Sequence, residues 1–311
     1  MRLKTIIKAV TASALTLTVL SANAHHIPHA VSLQKLNQII DQTNFDVEGH
    51  CSGTLISKKY RLVMTAHHCI DNKIRWVEKA YVEEGEVKKK KVEIKKDVRL
   101  RQFSYDTNGE KVGGATYQAK IVDYSDVQKG NDLALLQIKA KTVPMTEEVV
   151  IQPYNVQALR GEDVYVIGNP ANLEGSVTKG IVVSVNRTFP GVYGENLKLI
   201  QTDAGVFFGN SGGVLMSANG HYLGTLSRMI PGTSVAFAIH HSKVQDLLEK
   251  NCYKELFDPN SETYDECVNN KEEKKEEKAE TVKSLLKKLV TEKQAPSAEK
   301  EPATEVEEVA P

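Results

Sequence analysis

Three short stretches of the sequence carry side chains that could act together on a carbonyl carbon. Ser211 lies in the glycine-rich stretch FFGNSGGVL, a histidine precedes Cys69 in RLVMTAHHC, and Asp132 begins the apolar run DLALLQI. A serine hydroxyl becomes a useful nucleophile when a histidine removes its proton, and a buried carboxylate fixes the tautomer of that histidine. All three residue types needed for acyl transfer are present, although the glycine stretch alone is equally typical of a hairpin turn.

The elements that must position these residues are short strands. Between about residues 51 and 239, β-branched and apolar runs alternate with Gly, Asn, Asp and Pro, which favours a mostly β sandwich or barrel. Apolar residues at helical spacing predict two flanking helices, VSLQKLNQIIDQ before this body and HSKVQDLLEKNCYKELF after it.

The net charge of the chain points to no particular binding partner. Lys and Arg number 40 and Asp and Glu number 40, so the formal net charge is zero and we expect no nucleic-acid partner. Between residues 72 and 112 the chain is rich in Lys and Glu. A polyanion-binding patch is one interpretation, and a solvent-exposed hairpin turning at EEGE is the favoured one.

The three stretches, in the order His, Asp, Ser, resemble the motifs of the chymotrypsin-fold, trypsin-like serine proteases. TAHHC resembles Thr-Ala-Ala-His-Cys, NDLALL resembles Asp-(Ile/Leu)-Ala-Leu, and GNSGG resembles Gly-Asp-Ser-Gly-Gly. VIGNPANLEGSVTKGIVVSVNR, IQTDAGVFFGNSGG and VAFAI further resemble the bacterial Deg-type proteases. The resemblance covers roughly residues 48–245 and implies two six-stranded antiparallel β-barrels. Too few residues follow Ile239 for the PDZ domain of many such proteases, so we expect none.

The resemblance also implies roles for individual residues. The family histidine directly precedes the cysteine, so His68 rather than His67 is the expected general base, with Asp132 as its orienting carboxylate and Ser211 as the nucleophile. The backbone N–H groups of Gly209 and Ser211 are the expected oxyanion hole.

The motif alignment also predicts a shallow, apolar specificity pocket. Its expected members are Gly205, Val206, Ser227, Met229 and Val235. A glycine where a carboxylate would select Lys or Arg, with larger residues filling the depth, predicts a preference for small aliphatic residues on the acyl side of the cut.

A glutamyl endopeptidase is a less favoured alternative. Those enzymes carry a histidine where this chain has Leu226, although an inward-turned Arg228 would favour an acidic substrate residue.

The chain has four cysteines, for which spacing alone leaves three pairings open. Zinc held by four thiolates is disfavoured, because no pair shows the short spacing of such sites. The resemblance implies a disulfide between Cys51 and Cys69, which leaves Cys252 to pair with Cys267. We expect no cofactor and no metal, and His25, His26 and His29 are not expected to bind one.

Both ends of the chain differ in composition from the body. MRLK, an apolar stretch and SANA predict a signal peptide cleaved after Ala24, which favours export over a membrane anchor. We therefore expect a secreted or periplasmic protein without stable membrane insertion. The predicted parts are 1–24 signal peptide, 25–47 helical segment, 48–245 protease domain, 246–270 disulfide-tied helical extension, and 271–311 charged helix and disordered tail.

Two functions of different classes follow from this sequence. The favoured one is an exported serine endopeptidase acting on protein or peptide substrates, with the C-terminal tail available for contact with a partner. The alternative is a catalytically silent binding protein on a protease scaffold, because a fold alone does not establish activity.

Overall fold

The computed structural model describes residues 30–83, 85–106, 108–125, 131–153, 157–189 and 197–293, with side chains up to residue 286. The predicted signal peptide, His25, His26, His29 and the tail beyond residue 293 lie outside the described residues. Strands dominate the described chain, and they are β1 (Asn44–Val47), β2 (Cys51–Ser57), β3 (Leu62–Thr65), β4 (Ile74–Glu83), β5 (Glu86–Lys95), β6 (Val98–Tyr105), β7 (Lys111–Ser125), β8 (Leu133–Ile138), β9 (Val150–Ile151), β10 (Asp163–Gly168), β11 (Ser176–Arg187), β12 (Leu199–Thr202), β13 (Val214–Ser217), β14 (His221–Ile230) and β15 (Val235–His240). The helices are α1 (Leu33–Thr43), α2 (His241–Lys250) and α3 (Tyr264–Lys293).

Twelve of these strands form two closed barrels. The first barrel has the strand order β1-β2-β3-β8-β7-β6, and pairing between β1 and β6 closes it. The second has the order β13-β10-β11-β12-β15-β14, and pairing between β13 and β14 closes it, while β9 adds to β14 in parallel. All pairings within the two rings are antiparallel, so the predicted architecture of two six-stranded barrels is confirmed.

An apolar core joins the two barrels. Leu62 and Leu133 of the first barrel belong to the same buried cluster as Val214 and Ile239 of the second. Residues of α1 and α2 complete this cluster, which explains why both flanking helices are amphipathic. The ends of β3 and β8 and the turn before β13 therefore meet across a fixed interface.

The segment after the second barrel differs from the single helix predicted there. Helix α2 ends at Lys250, and the backbone of Cys252 adopts φ 68°, which interrupts the helix before a short 3-10 turn at Lys254–Leu256. A disulfide joins Cys252 to Cys267 near the start of α3. Helix α3 then runs without a break through residue 271, where the predicted boundary of the charged segment lies.

Strands β4 and β5 form a separate two-stranded sheet that confirms the predicted exposed hairpin. Their register pairs Ile74 with Lys95 at the base and Glu83 with Glu86 at the tip. Most side chains of both strands are exposed.

Among the described residues, no helix is both long enough and apolar enough to cross a lipid bilayer.

Candidate active site

His68 lies in a short 3-10 helix, His67–Cys69, that directly follows β3. A disulfide between Cys51 and Cys69, with 5.9 Å between the Cα atoms, ties this turn to the beginning of β2. The bond is the one that the resemblance implied, and it fixes the backbone beside the histidine.

Asp132 meets His68 because of strand pairing in the first barrel. Strand β8 begins one residue after Asp132 and pairs antiparallel with β3, so the start of β8 lies beside the end of β3. The Asp132 Oδ2 atom lies 2.6 Å from His68 Nδ1, and Oδ1 accepts a hydrogen bond of 2.9 Å from the His68 backbone N–H. Two contacts to one carboxylate fix both the position and the ring orientation of the histidine.

The carboxylate of Asp132 is buried while the histidine ring faces solvent. Asp132 is 1% exposed, whereas the side chain of His68 is 42% exposed. Burial raises the pKa of Asp132, but the hydrogen bonds and charge of His68 and the Ser227 hydroxyl outweigh it and hold the pKa below its usual value. Asp132 is therefore ionised at neutral pH, as a partner of an imidazolium must be.

Ser227 supplies a further hydrogen bond to this pair. Its hydroxyl donates to Asp132 Oδ2 at 2.6 Å, and the residue is buried. The sequence predicted Ser227 as part of the specificity pocket and gave no sign of this contact.

Ser211 lies in a turn whose glycines cannot be replaced without displacing other atoms. Gly209 has φ 103° and Gly212 has φ 84°, values that L side chains rarely adopt. A Cβ on Gly209 would collide with the carbonyl oxygen of Asn169, and one on Gly212 would collide with that of Ser52. The glycines thus allow the turn to pack directly on backbone from both barrels.

Four successive carbonyl groups of this turn are held by hydrogen bonds. The Phe208 oxygen accepts from the Ala171 N–H at 2.7 Å, and the Gly209 oxygen accepts from the Ser52 hydroxyl at 2.6 Å. The Asn210 oxygen accepts from the Gly213 N–H at 2.9 Å, and the Ser211 oxygen accepts from the Ser52 N–H at 2.8 Å.

These bonds orient the two N–H groups predicted as the oxyanion hole. Because the C=O and N–H of one peptide point in opposite directions, the N–H of Gly209 points away from Ala171, and the N–H of Ser211 points away from Gly213. Within the described part of the chain, neither N–H has a hydrogen-bond acceptor. Both donors are free to bind an oxygen atom that is not part of the protein.

Ser52 and Asn169 support the turn, and sequence reasoning missed both. The Ser52 hydroxyl also accepts from the Asn169 N–H at 2.8 Å, and the Asn169 Nδ2 donates to the carbonyl of Phe45 at 2.8 Å. Both side chains are buried, at 0% and 2% exposure. Asn169 follows the last residue of β10 in the sequence GNP, within a stretch that the sequence singled out only by its resemblance to the Deg-type proteases.

The predicted pocket residues divide between three segments. Gly205 is exposed, and Val206 and Met229 are partly buried; the Gly205 carbonyl accepts from the Thr178 hydroxyl at 2.7 Å.

The register of β14 and β15 does not bring Met229 and Val235 together. Met229 pairs with Ala236, and Val235 pairs with Ile230. Because side chains alternate along a strand, Met229 and Val235 lie on opposite faces of the β14–β15 ribbon, and Ala236 shares the face of Met229.

One group of potential metal ligands lies beside the site. Ligand atoms of Cys51, His68 and Cys69 fall within 4.8 Å of one another in the described part of the chain. The two sulfur atoms are bonded to each other, and zinc binds thiolates, so this group offers only one imidazole nitrogen.

Comparison with known proteins identifies the family. A family model described as the trypsin-like peptidase domain matches residues 51–224. Serine protease HTRA1B of Danio rerio is 34% identical over 140 residues, which cover 44% of this chain and 28% of that protein. Serine protease HTRA1 of Xenopus tropicalis is 34% identical over 145 residues, which cover 46% of this chain and 30% of that protein. Mitochondrial serine protease HTRA2 of Bos taurus is 32% identical over 143 residues, which cover 44% of this chain and 29% of that protein.

The matched region spans less than a third of each of these relatives, so the likeness concerns one domain. The residues that the domain model matches include His68, Asp132 and Ser211. The matched domain model covers more than half of the sequence. This chain therefore belongs to the trypsin-like peptidase domain family.

Proposed function

We propose that the protein is a serine endopeptidase in which Ser211 is the nucleophile, His68 the general base and Asp132 the orienting carboxylate. The observation that carries the proposal is the buried, ionised Asp132 within 2.6 Å of His68 Nδ1. That contact leaves Nε2 of the same ring as the proton acceptor, which is the arrangement that base catalysis by histidine requires.

The proposed reaction has two halves. Nε2 of His68 takes the proton of the Ser211 hydroxyl as its oxygen attacks the peptide carbonyl carbon, and the resulting oxyanion accepts hydrogen bonds from the N–H groups of Gly209 and Ser211. The imidazolium, stabilised by Asp132, then protonates the leaving amine, and the C–N bond breaks. Water repeats the sequence on the acyl-enzyme, which releases the acid and the free hydroxyl.

The decisive experiment is covalent labelling. We expect a fluorophosphonate probe to label the wild-type protein and to leave Ser211→Ala unlabelled. Both proteins should show the same cooperative thermal unfolding, which shows that the variant is folded. A wild-type protein that is folded, takes no label and cleaves no peptide would support the silent binding protein instead.

We propose export as the setting of this activity. Two disulfides support an oxidising compartment, where such bonds persist. N-terminal sequencing of the secreted protein tests the proposal, and we expect it to begin at His25.

We further propose cleavage after small aliphatic residues. Gly205 brings no carboxylate to select Lys or Arg, and Met229 and Ala236 share one face of the ribbon. Digestion of a peptide library tests this preference. A best substrate with Lys, Arg or Phe on the acyl side would contradict it, and one with Glu would favour the glutamyl-type alternative.

A further inference from the structure

The β4–β5 hairpin stands apart from both barrels. Its two strands of 10 residues pair with each other and, among the described residues, with no other strand. A two-stranded ribbon without a packed face is marginally stable in water, and its open edges invite pairing with other chains. A hairpin of this length adds little to the barrel cores, so its exposed surface calls for another explanation.

One face of the hairpin combines apolar and cationic side chains. Strand register and alternation place Trp76, Val82, Val87, Lys89 and Lys91 on the same face, which we call the hairpin face. Trp76 is 61% exposed, Val82 71% and Val87 73%, and both lysines are exposed. The face therefore offers exposed apolar side chains beside exposed lysines, of which Lys89 lies 3.9 Å from Glu78 on the same face.

The base of this face adjoins the candidate active site. Glu93 and Lys95 continue the same face, and the hydroxyl of Tyr124 donates to Glu93 while Lys95 lies 5.3 Å from the centre of the Tyr124 ring. Tyr124 stacks on His67 with 4.8 Å between ring centres. His67 precedes His68, so a chain lying along the hairpin face ends beside the candidate base.

We propose that the hairpin face binds an extended acidic segment of a polypeptide substrate, outside the residues that flank the cut. This inference rests on the proposed function, because it assigns the substrate class of the same site. Acidic side chains of the segment lie against Lys89 and Lys91, and its apolar side chains lie against Trp76, Val82 and Val87. The open strand edges allow the segment to add its backbone as a further strand.

Charge and composition favour a polypeptide over a nucleic acid. The hairpin face and its base carry Lys89, Lys91 and Lys95 together with Glu78 and Glu93, and Lys89 lies 3.9 Å from Glu78. This mixture of charges suits a few separate carboxylates better than the continuous line of phosphates of a nucleic acid. Val82 and Val87 suit aliphatic side chains, and Trp76 is the one aromatic ring of the hairpin face, so successive bases would have no row of rings on which to stack.

Fluorescence tests the proposal directly, because Trp76 is the only tryptophan in the sequence. The protein is full-length Ser211→Ala, which removes the proposed nucleophile. The probe is a 12-residue synthetic peptide with three repeats of Glu-Ser-Val-Ser, which places Glu and Val on the same side of an extended chain, and its partner is the same peptide with Gln for every Glu. We expect the acidic peptide to shift Trp76 emission to shorter wavelength, and the Gln peptide to bind at least about threefold more weakly.

Two matched variants assign the effect to the hairpin face. In the Ser211→Ala background, Lys89→Gln with Lys91→Gln should weaken the acidic peptide about threefold to tenfold and more so at low salt. Lys274→Gln with Lys275→Gln removes the same charge from exposed positions of α3 and should leave the affinity unchanged.

Three outcomes would overturn the proposal. They are equal binding of the Glu and Gln peptides, tighter binding of a single-stranded 12-nucleotide DNA, and self-association of the Lys89 and Lys91 variant with unchanged peptide affinity. The last would mean that the lysines only protect the strand edge.

Hydrolysis separates this inference from the proposed function. With Ser211 intact, the lysine substitutions should lower kcat/KM about threefold to tenfold for a long substrate that carries the acidic segment and leave a short substrate unaffected. If the wild-type protein hydrolysed neither the long nor the short substrate, the proposed protease function would be refuted. The fluorescence titration would still test whether the hairpin face binds the acidic peptide.

Discussion

Ser52→Ala is the substitution that best tests how the oxyanion hole is held. The Ser52 hydroxyl binds the Gly209 carbonyl at 2.6 Å and the Asn169 N–H at 2.8 Å, and the residue is fully buried. The peptide between Gly209 and Asn210 lies between the two peptides that carry the proposed oxyanion donors. Removing the hydroxyl therefore frees the middle of the turn and touches neither donor directly.

The expected magnitude follows from what the alanine leaves behind. A buried carbonyl and a buried N–H each lose a partner, at a cost of roughly 1–3 kcal/mol for each such group, so we expect the free energy of unfolding to fall by about 2–6 kcal/mol. Loss of a whole oxyanion donor lowers kcat by about 10²–10³-fold. Because Ser52 acts through the intervening peptide, we expect kcat to fall by about tenfold to a hundredfold, with KM changed by less than about threefold.

The assay is steady-state hydrolysis of a short peptide, with thermal unfolding in parallel and with affinity for a peptide aldehyde as a measure of oxyanion binding. Ser57→Ala is the matched control, because Ser57 is buried in the same strand and its hydroxyl accepts a hydrogen bond from the Tyr60 N–H at 3.2 Å. The Ser57→Ala substitution should lower the free energy of unfolding and leave kcat within about twofold of the wild-type value. Equal kcat values for the two variants would refute the reasoning.

Three further predictions concern the neighbouring groups. His68→Ala should lower kcat by several orders of magnitude, and His67→Ala by less than about tenfold; steady-state kinetics compares them, and the reverse order would exchange their roles. Ser227→Ala should lower kcat about tenfold, measured in the same assay, because it removes a charge-assisted bond of 2.6 Å; an unchanged kcat would mean that His68 alone holds the carboxylate. Burial lowers the pKa of His240 to about 3, with a smaller effect from neighbouring positively charged groups, and burial lowers the pKa of His241 to about 4. Below pH ~6.5 the unfolded chain therefore binds more protons at these two residues than the folded chain does. The free energy of unfolding in urea should therefore be constant above pH ~6.5 and fall by up to about 1.4 kcal/mol per pH unit per histidine as pH drops toward 5, and a flat profile would contradict this.

The sequence predicted the candidate catalytic residues, but it did not predict the contacts that hold them in place. Residue types in fixed order indicated the histidine, the carboxylate and the serine turn, and strand-like runs indicated barrels, because these signals are local. Ser52 and Asn169 touch across 117 residues of sequence, so no local pattern could reveal their bond. The end of α2 was also not predictable, because the left-handed backbone of Cys252 occurs at a residue that is not glycine, so no sequence signal marks it.

The opposite faces of Met229 and Val235 and the contact of Ser227 with Asp132 have the same cause, an irregularity in β14. Leu226 pairs with Ala238 and Arg228 pairs with Phe237, so two steps along β14 match one step along β15 and Ser227 is the extra residue. A bulge shifts the side-chain alternation beyond it, which gives Met229 the face of Ala236. It also releases Ser227 from the ladder, and the released hydroxyl reaches Asp132 at 2.6 Å. A regular strand would have kept Ser227 within the ladder, and Asp132 would have lacked this hydrogen bond.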